Sequence, residues 1–538
     1  RYAPYCPSEV SDNAQENLLM RSIRAYGPIP ANALHYLVGM PIDEIESVSG
    51  KLGASTISVG EGQTPMLIMA DEIPNLENVP RTEFPIRLCT ISDPNIASRW
   101  SEFNARYGDR LMFPLIRGNV LVGAVEMWEM SGCIEIRQFD LDSPDMLHEA
   151  LDALDFMMGF YRQKGIDVIR IREILGTDAE ALDDETAKCL ASHGYIKVNG
   201  FYAKGVTTSW TMEQEQLISY VFSKQHISKA SKYKTFDDAI TDRGYMRGDQ
   251  EALIRIADRV DMKKQMERGN LIKMTLTPDY QGYTIRPYAH LFRESKEYVP
   301  DEVASSVISF VSAHQPVSKK SILEASPYSP ERVSDSLSEL NKASAVYTDE
   351  NSMINLVTSN AGDILDGLEA VARLHFKSFG IFSADGLASF LNARMALTRK
   401  VLRRLEDDGT VTKGYFVGGD PTLMWMLSED VGKKPSVFTE TFVLNSQDNL
   451  HIYFRDMIKQ EVGATMSVVF SGTKIIGSFK GKVCTSGAKV EDFKGSEEAM
   501  RAIIEAAQFS GVSVPVQEHK DDDDWDILSL SNKLNLGI

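Results

Sequence analysis

The chain of 538 residues lacks most of what would place it in a membrane, a disulfide scaffold or a metal centre. No run of about 18 apolar residues occurs, so no segment can cross a bilayer as a helix. The five cysteines, Cys6, Cys89, Cys133, Cys189 and Cys484, are odd in number and far apart, with no C-x-x-C pair. That argues against a disulfide framework and a zinc site, and fits a reducing cytoplasm. The nine histidines contain no i, i+4 pair. His148-Glu149 opens like a zinc-protease helix, but Asp152 stands where the second His belongs, and a solvated helix face is the reading preferred. Gly472-Thr473-Lys474-Ile475-Ile476-Gly477-Ser478 has the glycine spacing of a phosphate loop without its Gly-Lys-Ser/Thr ending, and is read as a hairpin turn. ATP hydrolysis by this chain alone is therefore not expected. The opening Arg1-Tyr2-Ala3-Pro4 has neither a signal segment nor a Met, so the chain reads as a piece of a longer one.

Positive charge is also scarce. The net charge of −19 argues against a protein coated in nucleic acid, although an average over several domains leaves room for a local basic groove. Part of the excess sits in a tail: Glu518 to Asp526 holds six acids against one Lys. That tail, followed by Ile527 and Leu528, is a solvated end or else a docking peptide or DNA mimic. Apolar content of 43% and charged content of 25% are ordinary globular values. The length implies about three to five domains.

The strongest positive signal is an internal repeat of helix, short turn, helix, longer helix and two short strands. Its clearest copy covers 362–428. Ile364, Leu365, Leu368, Val371 and Leu374 stripe the first helix, Ser383 is placed to cap the second, and Leu397, Val401, Leu402 and Leu405 line the third. Gly409 ends that helix before a hairpin at Thr410–Phe416 and Leu423–Leu427. The plan recurs at 14–70, with Gly60-Glu61-Gly62 at the hairpin tip, and at 300–357. A further copy is expected over 146–204, where Asn199-Gly200 favours a type I′ turn, and a looser one over 212–286. Three helices and a hairpin make a winged helix, a helix-turn-helix variant. Two β-rich stretches, 111–161 and 465–508, resemble each other, with Gly118 and Gly123 matching Gly472 and Gly477. The expected fold class is α+β: tandem winged-helix domains interleaved with two small β-barrel-like, β-plus-helix modules. The expected divisions are winged helices at 1–75, 146–210, 299–358 and 359–432, a loose one at 211–298, β modules at 76–145 and 433–515, and an acidic tail at 516–538.

The chemistry-bearing cluster lies on the third helix of the 362–428 copy. Arg399/Arg403 and Lys400/Arg404 are i, i+4 pairs opposite the apolar seam. With Arg394 at the helix start and Lys413 and Tyr415 in the first wing strand, they are the expected phosphate- and base-contacting residues. The acids Glu406-Asp407-Asp408 gather at the helix end. A second basic run, Lys224, Lys229, Lys232, Lys234, Arg243 and Arg247, is a less specific backbone contact, interrupted by Asp237, Asp238 and Asp242. Gln138-Phe139-Asp140 reads as an edge-strand end.

Arg403 to Val417, which ends Gly414-Tyr415-Phe416-Val417, resembles the C-terminal half of Lhr-type (large helicase-related) proteins, as do Val443–Asp448 and the 464–511 segment. The 86–139 stretch, with Ser92-Asp93-Pro94, resembles the β region of the related YcaQ/AlkZ-type winged-helix DNA glycosylases. The resemblance implies a DNA-repair module of tandem winged helices with a β-barrel, carried behind a superfamily 2 helicase motor or acting alone as a glycosylase. Motor motifs are absent here, so ATP and Mg would enter only through a motor upstream or on another chain. The Gln-x-Asp or Gln-x-Gln motif of the glycosylases belongs on a different element from Gln138-Phe139-Asp140. Asp93 is the one carboxylate in a resembling context and is the catalytic candidate, with a turn or helix-cap role as its simpler reading. The leading function is a nucleic-acid-binding C-terminal region of a large helicase-related repair protein. The alternatives are a DNA glycosylase and a protein-binding scaffold. DNA or RNA and a linked or separate motor are the expected partners, with no membrane, cofactor or metal.

Overall fold

The structure is a computed structural model that describes residues 13–509 except 59–64, 79–83, 92, 94–95, 97–98, 109, 119, 270, 278–279, 360–361, 464 and 485–486. The expected tail 516–538 and wing tip 60–62 lie outside the described residues. The chain is a mixed α+β protein in two compact units that meet in sequence at Gly205 and Val206. No helix among the described residues is long and apolar enough to cross a membrane.

The first unit begins with α1 (Ala14–Tyr26), β1 (Ile29–Pro30), α2 (Ala31–Val38), α3 (Ile42–Lys51), β2 (Ala54–Ile57) and β3 (Met66–Met69). The three strands pair in the order β1-β3-β2, over a core that includes Leu19, Ile23, Leu34 and Ile45. Next come β4 (Ile86–Leu88), α4 (Trp100–Tyr107), β5 (Met112–Arg117), β6 (Val120–Glu129), β7 (Cys133–Leu141) and α5 (Leu147–Arg162). The unit closes with β8 (Val168–Ile171), β9 (Glu173–Ile174), β10 (Thr177–Asp178), α6 (Asp184–Ser192), β11 (Ile196–Val198) and β12 (Phe201–Lys204).

Two expectations are corrected here. The 146–204 stretch has two α-helices, not three, and the small β9–β10 hairpin stands where a middle helix was expected. Nor does a boundary fall at 145/146, because one seven-stranded sheet runs β11-β12-β8-β7-β6-β5-β4. Its β7–β8 pair is parallel, from Cys133 opposite Val168 to Ile136 opposite Ile171, with α5 as the crossover. Parallel neighbours need such a long connection, and the pairing covers an edge that β7 would otherwise expose. The Asn199-Gly200 turn does join β11 to β12, both residues at positive φ, 48° and 78°.

The second unit opens with α7 (Gln214–Lys224), α8 (Phe236–Arg243), β13 (Tyr245–Met246), α9 (Asp249–Arg255), α10 (Met262–Glu267), β14 (Leu271–Leu276), β15 (Tyr280–Ile285) and α11 (Ala289–Glu294). It continues with α12 (Glu302–His314), α13 (Lys319–Ala325), α14 (Pro330–Lys342), β16 (Val346–Thr348) and β17 (Ile354–Leu356). Then follow α15 (Ile364–Phe379), β18 (Ile381–Ser383), α16 (Ala384–Leu391), α17 (Met395–Asp407), β19 (Val411–Gly414) and β20 (Met424–Leu427). The last elements are β21 (Thr441–Leu444), α18 (Asn449–Tyr453), α19 (Arg455–Glu461), β22 (Ser467–Ser471), β23 (Lys474–Cys484), β24 (Gly487–Gly495) and α20 (Glu497–Phe509).

The order helix, strand, helix, helix, hairpin of 14–69 recurs at 236–285 and 364–427, with the same sheet orders β13-β15-β14 and β18-β20-β19. At 302–356 Val317 takes the place of the first strand by exchanging both backbone hydrogen bonds with Ile354. The loose copy therefore starts at Phe236, and α7 lies outside its order. Local signals explain these helices. Ser383 caps α16 by accepting from Gly386 N–H at 3.1 Å, and Gly409, at φ 78°, follows the end of α17.

Both β-rich stretches share one plan: a strand, a helical connection, three antiparallel strands and a closing helix. Gly118 and Gly472 turn at φ 61° and 58°, and the sheet register slips at Leu115/Ile116 and at Val469/Phe470. A Cβ on Gly123 would stand 2.1 Å from Asp140 O, and one on Gly477 2.6 Å from Ala499 Cβ, so both sites need glycine. The expected barrels are corrected: among the described residues the seven-stranded sheet and the sheet β21-β22-β23-β24 are open, their end strands each pairing on one side only.

A buried polar hub ties the second unit together. Arg255 donates to both carboxylate oxygens of Asp448, each at 2.7 Å, and to Gln225 Oε1 at 2.6 and 3.0 Å. Gln225 Oε1 also accepts from Arg243 at 3.2 Å, and Gln225 Nε2 donates to Ser378 O at 2.6 Å. Glu251 accepts from the backbone N–H groups of Arg247 and Asn449. Nearby, the buried His375 ring lies 2.7 Å from Tyr245 Oη, and its pKa is pushed down to about 3, first by burial and then by Arg243.

Two outcomes follow from this hub. Asp448→Ala should cost about 3–5 kcal/mol, since it strands a buried cation, whereas the apolar double replacement Arg255→Met/Asp448→Leu should recover much of the loss. Urea unfolding of the full chain measures both. For His375, the unfolded ring titrates near 6.5 and the folded ring near 3. Stability is therefore complete above about pH 6.5 and falls toward pH 3, by up to about 1.4 kcal/mol per pH unit, because only the unfolded chain takes up that proton. His375→Gln should flatten this acid slope in urea midpoints compared at neutral and mildly acidic pH.

Candidate nucleic-acid interface

α17 forms because its apolar seam, Val401, Leu402 and Leu405, is buried against α15 and α16, and Thr398 is buried with it. The 3.6-residue period then turns the basic residues outward. Arg394 precedes the helix and is 84% exposed, its guanidinium 3.9 Å from Glu297. Lys400 and Arg403 are exposed and Arg399 is half-buried. Lys400 makes no ion pair among the described residues.

Three of the expected contact residues serve the fold instead. Arg404 donates to Asp366 at 2.7 Å and Glu369 at 3.3 Å on α15, and the hydrogen bond to Asp366 first of all raises its pKa. Lys413 is buried, its ammonium 2.9 Å from Glu406, and Tyr415 is buried completely. Strand β19 is an edge of the sheet β18-β20-β19, yet Val411 and Lys413 on it and Tyr415 just after it are buried, so these side chains point into protein.

Two of the three acids at the end of α17 are paired by the same packing, and the third, Asp407, is exposed. Glu406 accepts from Lys413 and from the Trp425 indole. Asp408 pairs with Arg373 and accepts from Thr410 N–H at 2.9 Å. Burial alone would raise the Asp408 carboxyl, but the Thr410 and Arg373 hydrogen bonds hold it below its ordinary value. The outward face of α17 thus stays positive while the charges around its base cancel.

Of the four third helices, α3 carries Asp43, Glu44 and Glu46 against Lys51, and α14 carries Glu331, Asp335 and Glu339 against Arg332 and Lys342. Besides α17, only α10 is basic. Its Lys263 and Lys264, and Arg268 just after it, are exposed and make no ion pair among the described residues. The sequence reading missed α10, since the loose copy had no firm boundaries. The i, i+4 pair Lys264/Arg268 was the signal available.

The second basic run is largely spent inside the protein. Arg243 is buried, Lys224 lies 2.6 Å from Asp430, and the Arg247 guanidinium sits 4.5 Å from the Tyr280 ring centre. Lys232 donates to Leu253 O, and burial lowers its pKa. A cleft of about 280 Å³ beside the start of α17 is lined by Lys296, Lys342, Arg394 and Leu397, with Glu297 and Glu339.

Asp93 belongs to the first unit. Its N–H donates to Thr90 O and its carbonyl accepts from Ile96 N–H, both at 2.9 Å, which is turn geometry. Burial and then the Asp93 carboxylate push the Cys89 thiol up to about 11. Asp93 does not line the cleft beside the start of α17. Gln138 and Asp140 bond to each other at 2.7 Å, and Arg110 donates to Gln138 at 3.1 Å.

No family model and no curated protein matches the chain. Among solved structures, the DNA glycosylase AlkZ of Streptomyces sahachiroi is similar at 13% identity with a TM-score of 0.44, covering 57% of this chain and 100% of that one.

Proposed function

We propose that this chain binds nucleic acid, duplex DNA first, through the outward faces of α17 and α10, each the third helix of a winged-helix domain. The observation that carries this reading is the sorting of charge on α17. Lys413 and Glu406 pair in the interior and Arg404 and Asp408 pair with residues of α15, while Arg394, Lys400 and Arg403 lie on the exposed side against the exposed acid Asp407. In a winged helix that side meets phosphates and base edges. A net charge of −19 makes such a patch selective, because the rest of the surface repels the polyanion. The likeness of Arg403–Val417 to the large helicase-related proteins supports a place beside a superfamily 2 motor on the same or another chain. Base excision gains no support from Asp93, whose turn position suits a structural role.

Fluorescence anisotropy with labelled duplex DNA, single-stranded DNA and RNA across a salt series tests the proposal. Each lost phosphate contact should flatten the slope of log affinity against log salt by about one unit. Lys400→Glu/Arg403→Glu and Lys263→Glu/Lys264→Glu should each do so, and Lys413→Met should leave the slope unchanged. Parent-like binding by both charge-reversed variants would sink this reading and favour a protein-binding scaffold. Preference for RNA would keep the surface and change the ligand.

A further inference from the structure

Helices α5 and α6 of the first unit bring together His148, Cys189 and His193, with Asp152 beside His193. His148 and Asp152 are i, i+4 on α5, so they share one face. Cys189 on α6 and His193, the residue that follows its last turn, form a second pair at the same spacing. The ligand atoms of His148, Cys189 and His193 lie within 4.8 Å of one another, and His193 Nε2 is 3.4 Å from Asp152 Oδ1. The two imidazole rings meet edge-on with centres 4.2 Å apart. His148 on its own looked like half of a missing metal pair, and the fold supplies the other half from α6.

The hydrogen bonds decide which atoms are available. His193 Nδ1 lies 3.0 Å from the backbone carbonyl of Cys189, which can only accept, so Nδ1 carries the proton. Nε2 then presents its lone pair to a carboxylate oxygen that also has only lone pairs to offer. Such a pair needs a second ring proton or a cation between its members. An Nδ1–H bond to a carbonyl is also the outer contact that metal-bound imidazoles usually make, fixing the tautomer and the ring.

We propose that His148, Asp152, Cys189 and His193 bind one Zn²⁺ ion as a four-ligand clamp between α5 and α6. Two imidazoles, a thiolate and a carboxylate are a donor set that Zn²⁺ accepts in tetrahedral geometry, and two i, i+4 pairs on adjacent helices deliver it from two faces. Hard cations such as Ca²⁺ and Mg²⁺ want oxygen ligands and are not matched. Four protein ligands close the coordination shell, so the role is structural. The clamp would fasten α6, and with it the edge hairpin β11–β12 that follows, to the helix crossing between β7 and β8. An ion pair from Lys204 on β12 to Asp155 on α5 already ties the same two parts. This site stands independently of the nucleic-acid reading.

Cobalt(II) is the probe, added to the full chain after chelation and under reducing conditions, with Zn²⁺ then used to displace it. Binding of one equivalent should produce the visible bands of tetrahedral cobalt together with a near-ultraviolet thiolate-to-metal band. Cys189→Ser should abolish the thiolate band. His148→Ala, an exposed position whose fold can be checked by circular dichroism, should weaken Zn²⁺ by at least the roughly tenfold that loss of an outer-shell partner costs. Zn²⁺ should also raise the thermal midpoint of the parent and not of Cys189→Ser. Absence of the bands in the parent, or bands and affinity unchanged in both variants, would overturn the proposal and leave a surface His–Asp ion pair.

Discussion

A guanidinium withdrawn from water has to find its anion inside the protein, and Arg255 finds it 193 residues away at Asp448. Neither partner tolerates loss of the other, because an uncompensated buried charge is far more costly than the pair itself is stabilising. Both basic helices, α10 at 262–267 and α17 at 395–407, lie in the segment that this pair closes. The closure also fixes α9, whose Glu251 holds the N–H of Asn449 at the start of α18, and α7, whose C-terminal Gln225 is shared by Arg255 and Arg243. The surface that carries the exposed cations thus depends on a contact whose second partner, Asp448, lies beyond both helices in the chain.

The same turn occurs in both β-rich stretches with different work to do. Asp93 and Asp448 each donate their N–H to the carbonyl three residues back, Thr90 and Asn445, and accept from the N–H three residues on, Ile96 and His451. At Asp448 the carboxylate faces a buried arginine, and at Asp93 its neighbour is the Cys89 thiol. A carboxylate in this turn is explained by the turn, with the side-chain partner varying between copies.

Charge on the surface follows from what the interior consumes. A count over 394–413 shows six basic residues and three acids, but the counted charges are not equivalent once folded. Arg404 pairs with Asp366 and Glu369 and Lys413 with Glu406, so the exposed face carries Arg394, Lys400 and Arg403 against Asp407. Over 224–247 the same sorting buries Arg243 and engages Lys224, Lys232 and Arg247 with protein groups, leaving Lys229 and Lys234 exposed, and the exposed cations of α10 form the second patch.

Periodicity by itself determined the helical seams of 302–314, 330–342 and 395–407, the Asn199-Gly200 and Gly409 turns, the Ser383 cap and the match of Gly118 and Gly123 with Gly472 and Gly477. These are local consequences of the helix and strand repeats and of the left-handed backbone that glycine allows. Only the tertiary structure decided that β7 and β8 pair in parallel, that both larger sheets stay open, and that Tyr415 and Lys413 face inward. It alone brought Arg255 to Asp448 and the His148–Asp152 pair to Cys189 and His193. Strand partners and buried ion pairs join residues tens to hundreds of positions apart. Their choice rests on the summed burial of whole faces, which no short window of sequence contains.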